Sequence, residues 1–219
     1  MSQLEQTVSR YRSLRLSATA DELTNLLAEA EANEMSYLSF ADRLAEHELI
    51  QRQDKRIRRN QKMAAFPAEK RLEGFDYRHQ TTITKRQVNA LLDFQFIDDR
   101  NNLVFIGPPG VGKTHLAIGI GYKAVEAGYR VLFRNALDLV EELELAEMKG
   151  ELKKRVSALA KYDLLIIDEL GYLPMTRQAR YNLFQLINSL YEYRSIILTT
   201  NKDFTSWGEF FHDDNVAVP

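Results

Sequence analysis

Residues 107–114 read Gly-Pro-Pro-Gly-Val-Gly-Lys-Thr, and this phosphate-loop motif constrains the fold more than any other segment of the chain. Such a loop functions only where a β-strand turns into a helix, because the helix N-terminus directs free N–H groups at the phosphates. The apolar run Leu103–Ile106 before it is typical of a strand, and residues 114–127 after it are typical of a helix. The sequence therefore predicts an α/β fold that binds a nucleoside triphosphate.

The residues of this loop have separate expected roles. Gly110 and Gly112 allow the backbone to curl, so that successive N–H groups point inward at a phosphate chain. Lys113 is expected to reach the outer phosphates, and the Thr114 hydroxyl is expected to be a ligand of Mg²⁺. A surface turn that ends in Lys-Thr by chance is the alternative, but it leaves the flanking strand and helix unexplained. The expected nucleotide-binding residues are Gly107, Pro108, Pro109, Gly110, Val111, Gly112, Lys113 and Thr114.

Apolar runs and helical stretches alternate after residue 100. This alternation, with strands that are apolar throughout, predicts a parallel sheet covered by helices on both faces. The further predicted strands are residues 130–134, 164–168 and 195–199, and the further predicted helices are residues 85–96, 137–160 and 177–193. Aromatic residues in and after the last helix recur at helical spacing, which favours the core over a base-stacking platform. These residues are Tyr181, Phe184, Tyr191 and Tyr193.

Two acids, Asp168 and Glu169, end the third predicted strand. The carboxyl ends of parallel strands meet at the ligand crevice, so both side chains are expected there. Asp168 is expected to hold Mg²⁺ through water, and Glu169 to orient or deprotonate the attacking water. Asn201 follows the next strand and is expected to contact the γ-phosphate or that water. Solvated acids at a strand end are the alternative, which the upstream phosphate loop disfavours.

Residues 1–65 are predicted to be helical throughout, because neither Gly nor Pro occurs before Pro67. Residues 1–51 hold nine acids and four bases, whereas residues 52–62 hold six cations and one acid. A dense run of one sign favours contact with DNA phosphates over a solvated helix face, and without a base-reading motif little sequence specificity is expected. The expected DNA-binding residues are Arg52, Lys55, Arg56, Arg58, Arg59 and Lys62.

Composition limits the class of protein further. A chain of 219 residues fits one α/β domain with a smaller appendage, here a helical domain 1–65, a connector 66–100 and an ATPase core 101–219. The absence of cysteine excludes disulfides and thiolate metal sites. No apolar run approaches the roughly 18 residues that span a bilayer, and the N-terminus lacks a signal pattern. We therefore expect no membrane partner and a cytoplasmic location.

Several segments resemble the IstB family of insertion-sequence transposition helpers, relatives of the DnaC helicase loaders among the AAA+ ATPases. They are residues 107–117, residues 164–174 (LLIIDELGYLP) and residues 195–207 (SIILTTNKDFTSW). Residues 72–77 also resemble the family's stretch near the adenine. The phosphate loop alone is unspecific, but the Asp-Glu-Leu-Gly-Tyr-Leu-Pro string is close to diagnostic, and the resemblance covers nearly the whole chain.

The resemblance implies an AAA+ core with a helical N-terminal domain that uses ATP and Mg²⁺. It implies that Lys113 and Thr114 hold the phosphate and the metal ion, that Asp168 and Glu169 are the metal-binding and hydrolytic acids, and that Asn201 is the first sensor. It also implies the partners: double-stranded DNA, which the family bends, a transposase to which target sites are presented, and further copies of the chain in an oligomer.

One departure from the family pattern concerns the C-terminal end. The family continues beyond the segment that matches residues 210–219 into a helix with an Asp-Arg-Leu string, whose arginine acts on a neighbouring subunit, and then into a final strand. We expect a truncated or frameshifted copy, or a fragment, that keeps nucleotide binding and loses about three to five orders of magnitude in hydrolysis. Leu103–Ile106 would then be a sheet edge. Arg177, Arg180 and Arg194 lie elsewhere in the pattern and are not expected to substitute for that arginine.

Three other functions remain open from the sequence. A DnaC-like replicative helicase loader shares every ATPase motif and differs in its partner. A small-molecule phosphotransferase would need an Arg-rich lid and an acceptor pocket, and the sequence suggests neither. A hydrolytically inactive nucleotide- and DNA-binding remnant differs from the transposition helper only in ATP turnover.

Overall fold

The computed structural model describes residues 1–79, 82–171 and 175–203. Residues 172–174 and 204–207, which carry part of the family resemblance, and the segment 210–219 lie outside the described residues. The chain divides into two compact units, Met1–Arg59 and Asn60–Pro219.

The first unit is helical, as predicted. Its helices are α1 (Gln3–Ser13), α2 (Ser17–Ala32) and α3 (Tyr37–Ala64), of which α3 continues past the division between the units. A capping box formed by Ser2 and Glu5 starts α1. Leu23 and Leu26 on one side of α2 are buried.

Glu48 of α3 caps the N-terminus of α2. Its Oε2 accepts the backbone N–H of Thr19 at 2.8 Å, and its Oε1 accepts Arg52 Nε–H at 2.9 Å. Leu16, the residue at the cap position of α2, offers no side-chain acceptor, so a carboxylate from another helix satisfies this N–H. Burial raises the pKa of Glu48, but the hydrogen bonds from Thr19 and Arg52 outweigh it and hold that pKa below its ordinary value.

We expect Glu48→Ala to destabilise the N-terminal unit by about 2 kcal/mol at pH 7, since a cap and a buried charged hydrogen bond are lost together. Because the folded pKa is depressed, the stabilisation is present at neutral pH and is lost as the pH falls through the folded pKa. Urea unfolding followed by far-UV circular dichroism at pH 7 and near pH 3 measures both effects. Glu46→Ala, an exposed acid on the same helix, is the control, and equal losses for the two variants would contradict the capping role.

The second unit contains a parallel sheet. Among the described residues its strands are β1 (Leu103–Ile106), β2 (Val131–Asn135), β3 (Leu164–Leu170) and β4 (Ser195–Thr200), in the order β1-β4-β3-β2. The register places Leu103 opposite Ile197 and Val131 opposite Leu164. Within the described part, β1 pairs only with β4 and so lies at an edge. The helices are α4 (Lys85–Ala90), α5 (Gln95–Asp98), α6 (Lys113–Glu126), α7 (Ala136–Met148), α8 (Leu152–Leu159) and α9 (Arg177–Leu190).

The strand order places helices on both faces of this sheet. The chain crosses from β1 to the far strand β2 and then returns through β3 to β4, so right-handed crossovers put α6 on one face and the later helices on the other. Ile166 of β3 contacts the α6 side at Gly121, whereas Leu165 and Ile167 belong to the cluster that includes Leu139 and Leu183 of α7 and α9. The predicted α/β fold with a helix-covered parallel sheet is confirmed.

Two predicted helices are interrupted. The predicted helix 85–96 is α4, a 3₁₀ turn (Leu91–Asp93) and then α5, because Phe94 adopts a left-handed backbone with φ of +60°. The predicted helix 137–160 is α7 and α8, separated at Gly150, where φ is +69°. Both predictions of a continuous helix were wrong, since the apolar period runs on past a residue whose backbone leaves the helical region. Among the described residues, no helix is both long and apolar enough to cross a membrane.

Candidate nucleotide-binding site

The phosphate loop follows β1 directly. The Gly107 N–H donates to the Thr200 carbonyl at 3.2 Å and so extends the pairing of β1 with β4 by one step. Gly110 and Gly112 have φ of +85° and +91°, a region that favours glycine. At Gly112 space is also limiting, since an added Cβ would lie 2.5 Å from Phe75 Cε2. The loop therefore has the curled backbone that the motif predicts.

Lys113 lies across this loop at the start of α6. Its Nζ donates to the carbonyl oxygens of Gly107 at 2.8 Å and Pro108 at 2.9 Å. No side chain of the described residues caps α6 at Gly112, so its first N–H groups are available to an anion. Burial lowers the pKa of the Lys113 ammonium, while Asp168 and Glu169 oppose that shift. The ammonium and the helix N-terminus together form a cationic cradle.

Asp168 is buried at the end of β3, with only 4% of its surface exposed. Its Oδ1 accepts two hydroxyl hydrogen bonds, from Thr114 Oγ1 at 2.8 Å and from Thr199 Oγ1 at 2.6 Å. The structure therefore brings the predicted metal ligands Thr114 and Asp168 together. Thr199 was not predicted to belong to the site, and its hydrogen bond with Asp168 places it beside the site.

The Thr114 hydroxyl and the Asp168 carboxylate fit Mg²⁺, which prefers oxygen ligands and keeps several of its waters. Among the described residues no three His, Asp or Glu side chains cluster as a metal site. A cation there would therefore depend on water and on phosphate oxygens for its remaining ligands, which is typical of Mg²⁺ in nucleotide sites.

Glu169 is exposed, unlike the neighbouring Asp168. Its backbone has φ of +62°, a left-handed conformation that strains a residue other than glycine. The strain coincides with a register shift between Ile167 and Leu170 of β3, a β-bulge. As a result, two adjacent carboxylates occupy different environments, one buried beside Thr114 and one open to solvent.

Asn135, which sequence reasoning missed, holds the Glu169 carboxylate. Its Nδ2 donates to Glu169 Oε2 at 3.0 Å, while its Oδ1 accepts the Leu137 N–H at 3.0 Å and caps α7. A polar residue at the carboxyl end of a strand beside β3 was the available signal, the same signal that singles out Asn201. Asn201 follows β4, is exposed and makes no side-chain hydrogen bond within the described residues, so its sensing role stays a prediction.

The segment before β1 is fixed to α6 beside the loop. His115 Nε2 lies 2.8 Å from the Arg71 carbonyl oxygen, and the Phe75 ring stands edge-on to the His115 ring at 5.3 Å between centroids. Arg71 also forms an ion pair of 2.8 Å with Glu126 at the far end of α6. Residues 72–77 therefore adjoin the phosphate loop, while their predicted place near an adenine stays a prediction.

The cations of the basic run are exposed on α3. At about 100° per residue, five of them fall within roughly one third of the helix circumference, and Arg58 lies beside that face. Arg52 pairs with Glu48 at 2.9 Å, and Arg56 donates to Gln53 Oε1 at 2.8 Å. The other cations of the run form no ion pair with any described residue: Lys55, Arg58, Arg59 and Lys62. Their contact with DNA stays a prediction.

The predicted burial of four aromatic residues was wrong. Tyr181, Phe184, Tyr191 and Tyr193 are exposed, with 57%, 42%, 61% and 67% of their surfaces accessible. Leucines at the same helical period, offset by about half a turn, face the core instead: Leu183, Leu186 and Leu190. Two interleaved apolar periods occupy α9, and the sequence alone does not tell which of them is buried.

A model of the IstB-like ATP binding protein family matches residues 9–218. The chain belongs to this family. The match extends across nearly the whole sequence, so the IstB resemblance read from the motifs is confirmed.

Two relatives of the chain are proteins of insertion sequences. One relative is a Geobacillus stearothermophilus protein whose name describes it as the ATP-binding protein of insertion sequence IS5376. It is 39% identical over 205 residues, which are 94% of this chain and 82% of that protein. The IS21 counterpart from Pseudomonas aeruginosa is 39% identical over 218 residues, which are 100% of this chain and 81% of that protein.

Two solved structures share the fold of the IstB-like chain. AMPPCP-bound DnaA from Aquifex aeolicus aligns with a TM-score of 0.57 and 23% identity, over 69% of this chain and 47% of that one. The DnaC helicase loader aligns with a TM-score of 0.51 and 22% identity, over 65% of this chain and 93% of that one. At these identities the likeness concerns the fold alone, the predicted α/β fold with a parallel sheet.

Proposed function

We propose that this IstB-like protein is an ATP-dependent helper of transposition. It binds ATP with Mg²⁺, associates with double-stranded DNA and with further copies of itself, and regulates a partner transposase through ATP binding and hydrolysis. The observation that carries the proposal is the shared carboxylate of Asp168, which joins the loop residue Thr114 to the strand ends beside it. This arrangement supports a site for a phosphate chain and a cation.

In this proposal each side chain has one task. The curled loop and Lys113 bind the phosphates, because N–H groups and an ammonium converge on one small region. Thr114 and Asp168 hold Mg²⁺, which when bound neutralises phosphate charge. Glu169 orients the attacking water and accepts its proton, which its exposed carboxylate supports. Asn201 completes the site at the next strand end.

The test is the ATPase rate against protein concentration, with and without double-stranded DNA. A DNA-stimulated rate that rises faster than linearly with protein supports an assembly in which subunits complete one another's sites. A flat rate near zero with intact ATP binding would instead favour the nucleotide-holding remnant. Binding to a replicative helicase in place of a transposase would favour the helicase-loader alternative, for which the DnaC likeness supports the fold alone.

For the DNA interaction, we expect the triple substitution of Arg56, Arg58 and Arg59 by Gln to weaken binding. The slope of log affinity against log salt should become shallower by up to about 2.7, since each phosphate contact contributes about 0.9. Fluorescence anisotropy of a labelled duplex at several salt concentrations measures this slope. A variant with three exposed cations outside the run replaced by Gln, namely Arg10, Lys85 and Lys161, controls for net charge. Equal slopes for the two variants would indicate that residues 52–62 form a solvated surface and do not bind DNA.

A further inference from the structure

The β-bulge of β3 gives Thr199 a special position in the sheet. Ile167 lies opposite Leu198 and Leu170 lies opposite Thr200, so Thr199 is the single residue of β4 opposite both Asp168 and Glu169. A bulge of this kind sets two residues of one strand against one residue of its partner. Position 199 therefore lies beside the backbone of both acidic residues.

The Thr199 hydroxyl contacts both acidic residues. It donates to Asp168 Oδ1 at 2.6 Å and accepts the backbone N–H of Glu169 at 2.9 Å. The hydroxyl has one hydrogen, and the carboxylate takes it, so the donor and acceptor roles follow from the contacts. Thr199 is fully buried, with 0% of its surface exposed.

The two hydrogen bonds act on the two features that the site requires. The bond to Asp168 fixes the orientation of the buried carboxylate toward Thr114. The bond from Glu169 N–H satisfies the backbone at a residue with φ of +62°, a conformation that persists only where its surroundings hold it. One side chain thus couples the geometry of the cation ligand to that of the water-activating residue.

We propose that Thr199 is a positioning residue, which orients Asp168 for the cation and stabilises the strained backbone that presents Glu169. This inference rests on the proposed function, because it assigns Thr199 a task in the Mg²⁺–ATP site. Thr199 touches neither nucleotide nor water in this role and acts through the two acids.

The test compares Thr199→Val with Thr200→Val. Valine has the shape of threonine without its hydroxyl, so the substitution removes both hydrogen bonds at little cost in volume. Thr200 is a matched control, since it is buried in the same strand with 1% of its surface exposed and its hydroxyl accepts the Lys202 N–H at 3.0 Å. Thr199→Ser keeps the hydroxyl and serves as the rescue variant.

The primary readout is binding of a fluorescent ATP analogue as a function of Mg²⁺ concentration. For Thr199→Val we expect the Mg²⁺ concentration at half-maximal binding to rise about tenfold, which corresponds to a loss of roughly 1.4 kcal/mol. Thr200→Val and Thr199→Ser should stay within about threefold of the wild type. Turnover at saturating Mg²⁺ should fall for Thr199→Val, with KM for ATP little changed, because Glu169 is displaced as well.

The outcomes separate the positioning role from the function itself. In one outcome the wild type binds the analogue in a Mg²⁺-dependent manner, while Thr199→Val shows the same Mg²⁺ dependence and the same turnover. That result overturns the positioning role alone. An equal loss in Thr200→Val overturns it too, since strand repacking would then be the cause. A wild type that does not bind the analogue overturns both proposals. Thr199→Ala, which also lacks the hydroxyl, replaces Thr199→Val if that variant does not fold.

Discussion

Lys113→Ala is expected to weaken ATP binding by about 100-fold, which corresponds to roughly 2.7 kcal/mol. The Lys113 ammonium is the charged side chain that lies on the phosphate loop, where it donates to the carbonyls of Gly107 and Pro108. Charge-assisted hydrogen bonds to phosphate are worth about 1.5–3 kcal/mol each. Removal of the Lys113 ammonium is therefore expected to remove most of the affinity for the outer phosphates. Isothermal titration calorimetry with a non-hydrolysable ATP analogue measures the effect.

Two comparisons sharpen this prediction. Lys161→Ala removes an exposed lysine from outside the site and should bind the analogue as the wild type does. AMP, which lacks the outer phosphates, should bind the wild type and Lys113→Ala with similar weakness. An unchanged affinity of Lys113→Ala for the ATP analogue would show that the loop holds phosphate through its backbone alone.

Glu169→Gln is expected to lower ATP turnover by about 100-fold or more while ATP affinity stays within about threefold. General-base catalysis contributes typically 10²–10⁴-fold, and an amide does not accept the proton of the attacking water. The substitution preserves the rest of the site, because the glutamine oxygen can still accept the Asn135 Nδ2–H bond that Glu169 accepts at 3.0 Å. Phosphate release under single-turnover conditions, beside a binding titration, measures the two quantities.

The control for Glu169→Gln is Glu141→Gln, which removes an exposed carboxylate from α7. It should leave turnover and binding unchanged. If Glu169→Gln retained wild-type turnover, another group would activate the water. If it lost ATP affinity instead, Glu169 would belong to the binding site for the cation.

The strands and the loop could be predicted because their signals are local. Leu103–Ile106 is an apolar run directly before the glycine-rich motif, and the observed β1 has the same bounds. The helix breaks were harder to predict from the sequence, since the period of apolar residues continues through Phe94 and Gly150. Backbone conformation at a single residue decides such breaks, and it depends on neighbours that are distant in sequence.

The role of Thr199 could not be predicted, because it depends on strand register. A one-residue bulge at Glu169 decides which residue of β4 faces Asp168, and no sequence pattern marks that bulge. The exposed aromatic residues of α9, such as Tyr181, were predicted to be buried for a related reason. Helical periodicity identifies apolar faces, but the packing of the helix decides which face is covered.

The internal hydrogen bonds of Lys113 have a consequence for how the protein discriminates among nucleotides. Because Nζ donates to two loop carbonyls, an incoming phosphate competes with ligands that the loop itself supplies. Replacing the two carbonyl oxygens at Nζ lowers the free energy only if the incoming group carries more negative charge than they do. Thr114 and Asp168, by contrast, already lie together. In the proposed ATP site, Lys113 therefore responds to the charge of the outer phosphates, whereas the hydrogen bond between Thr114 and Asp168 fixes the positions of those two side chains.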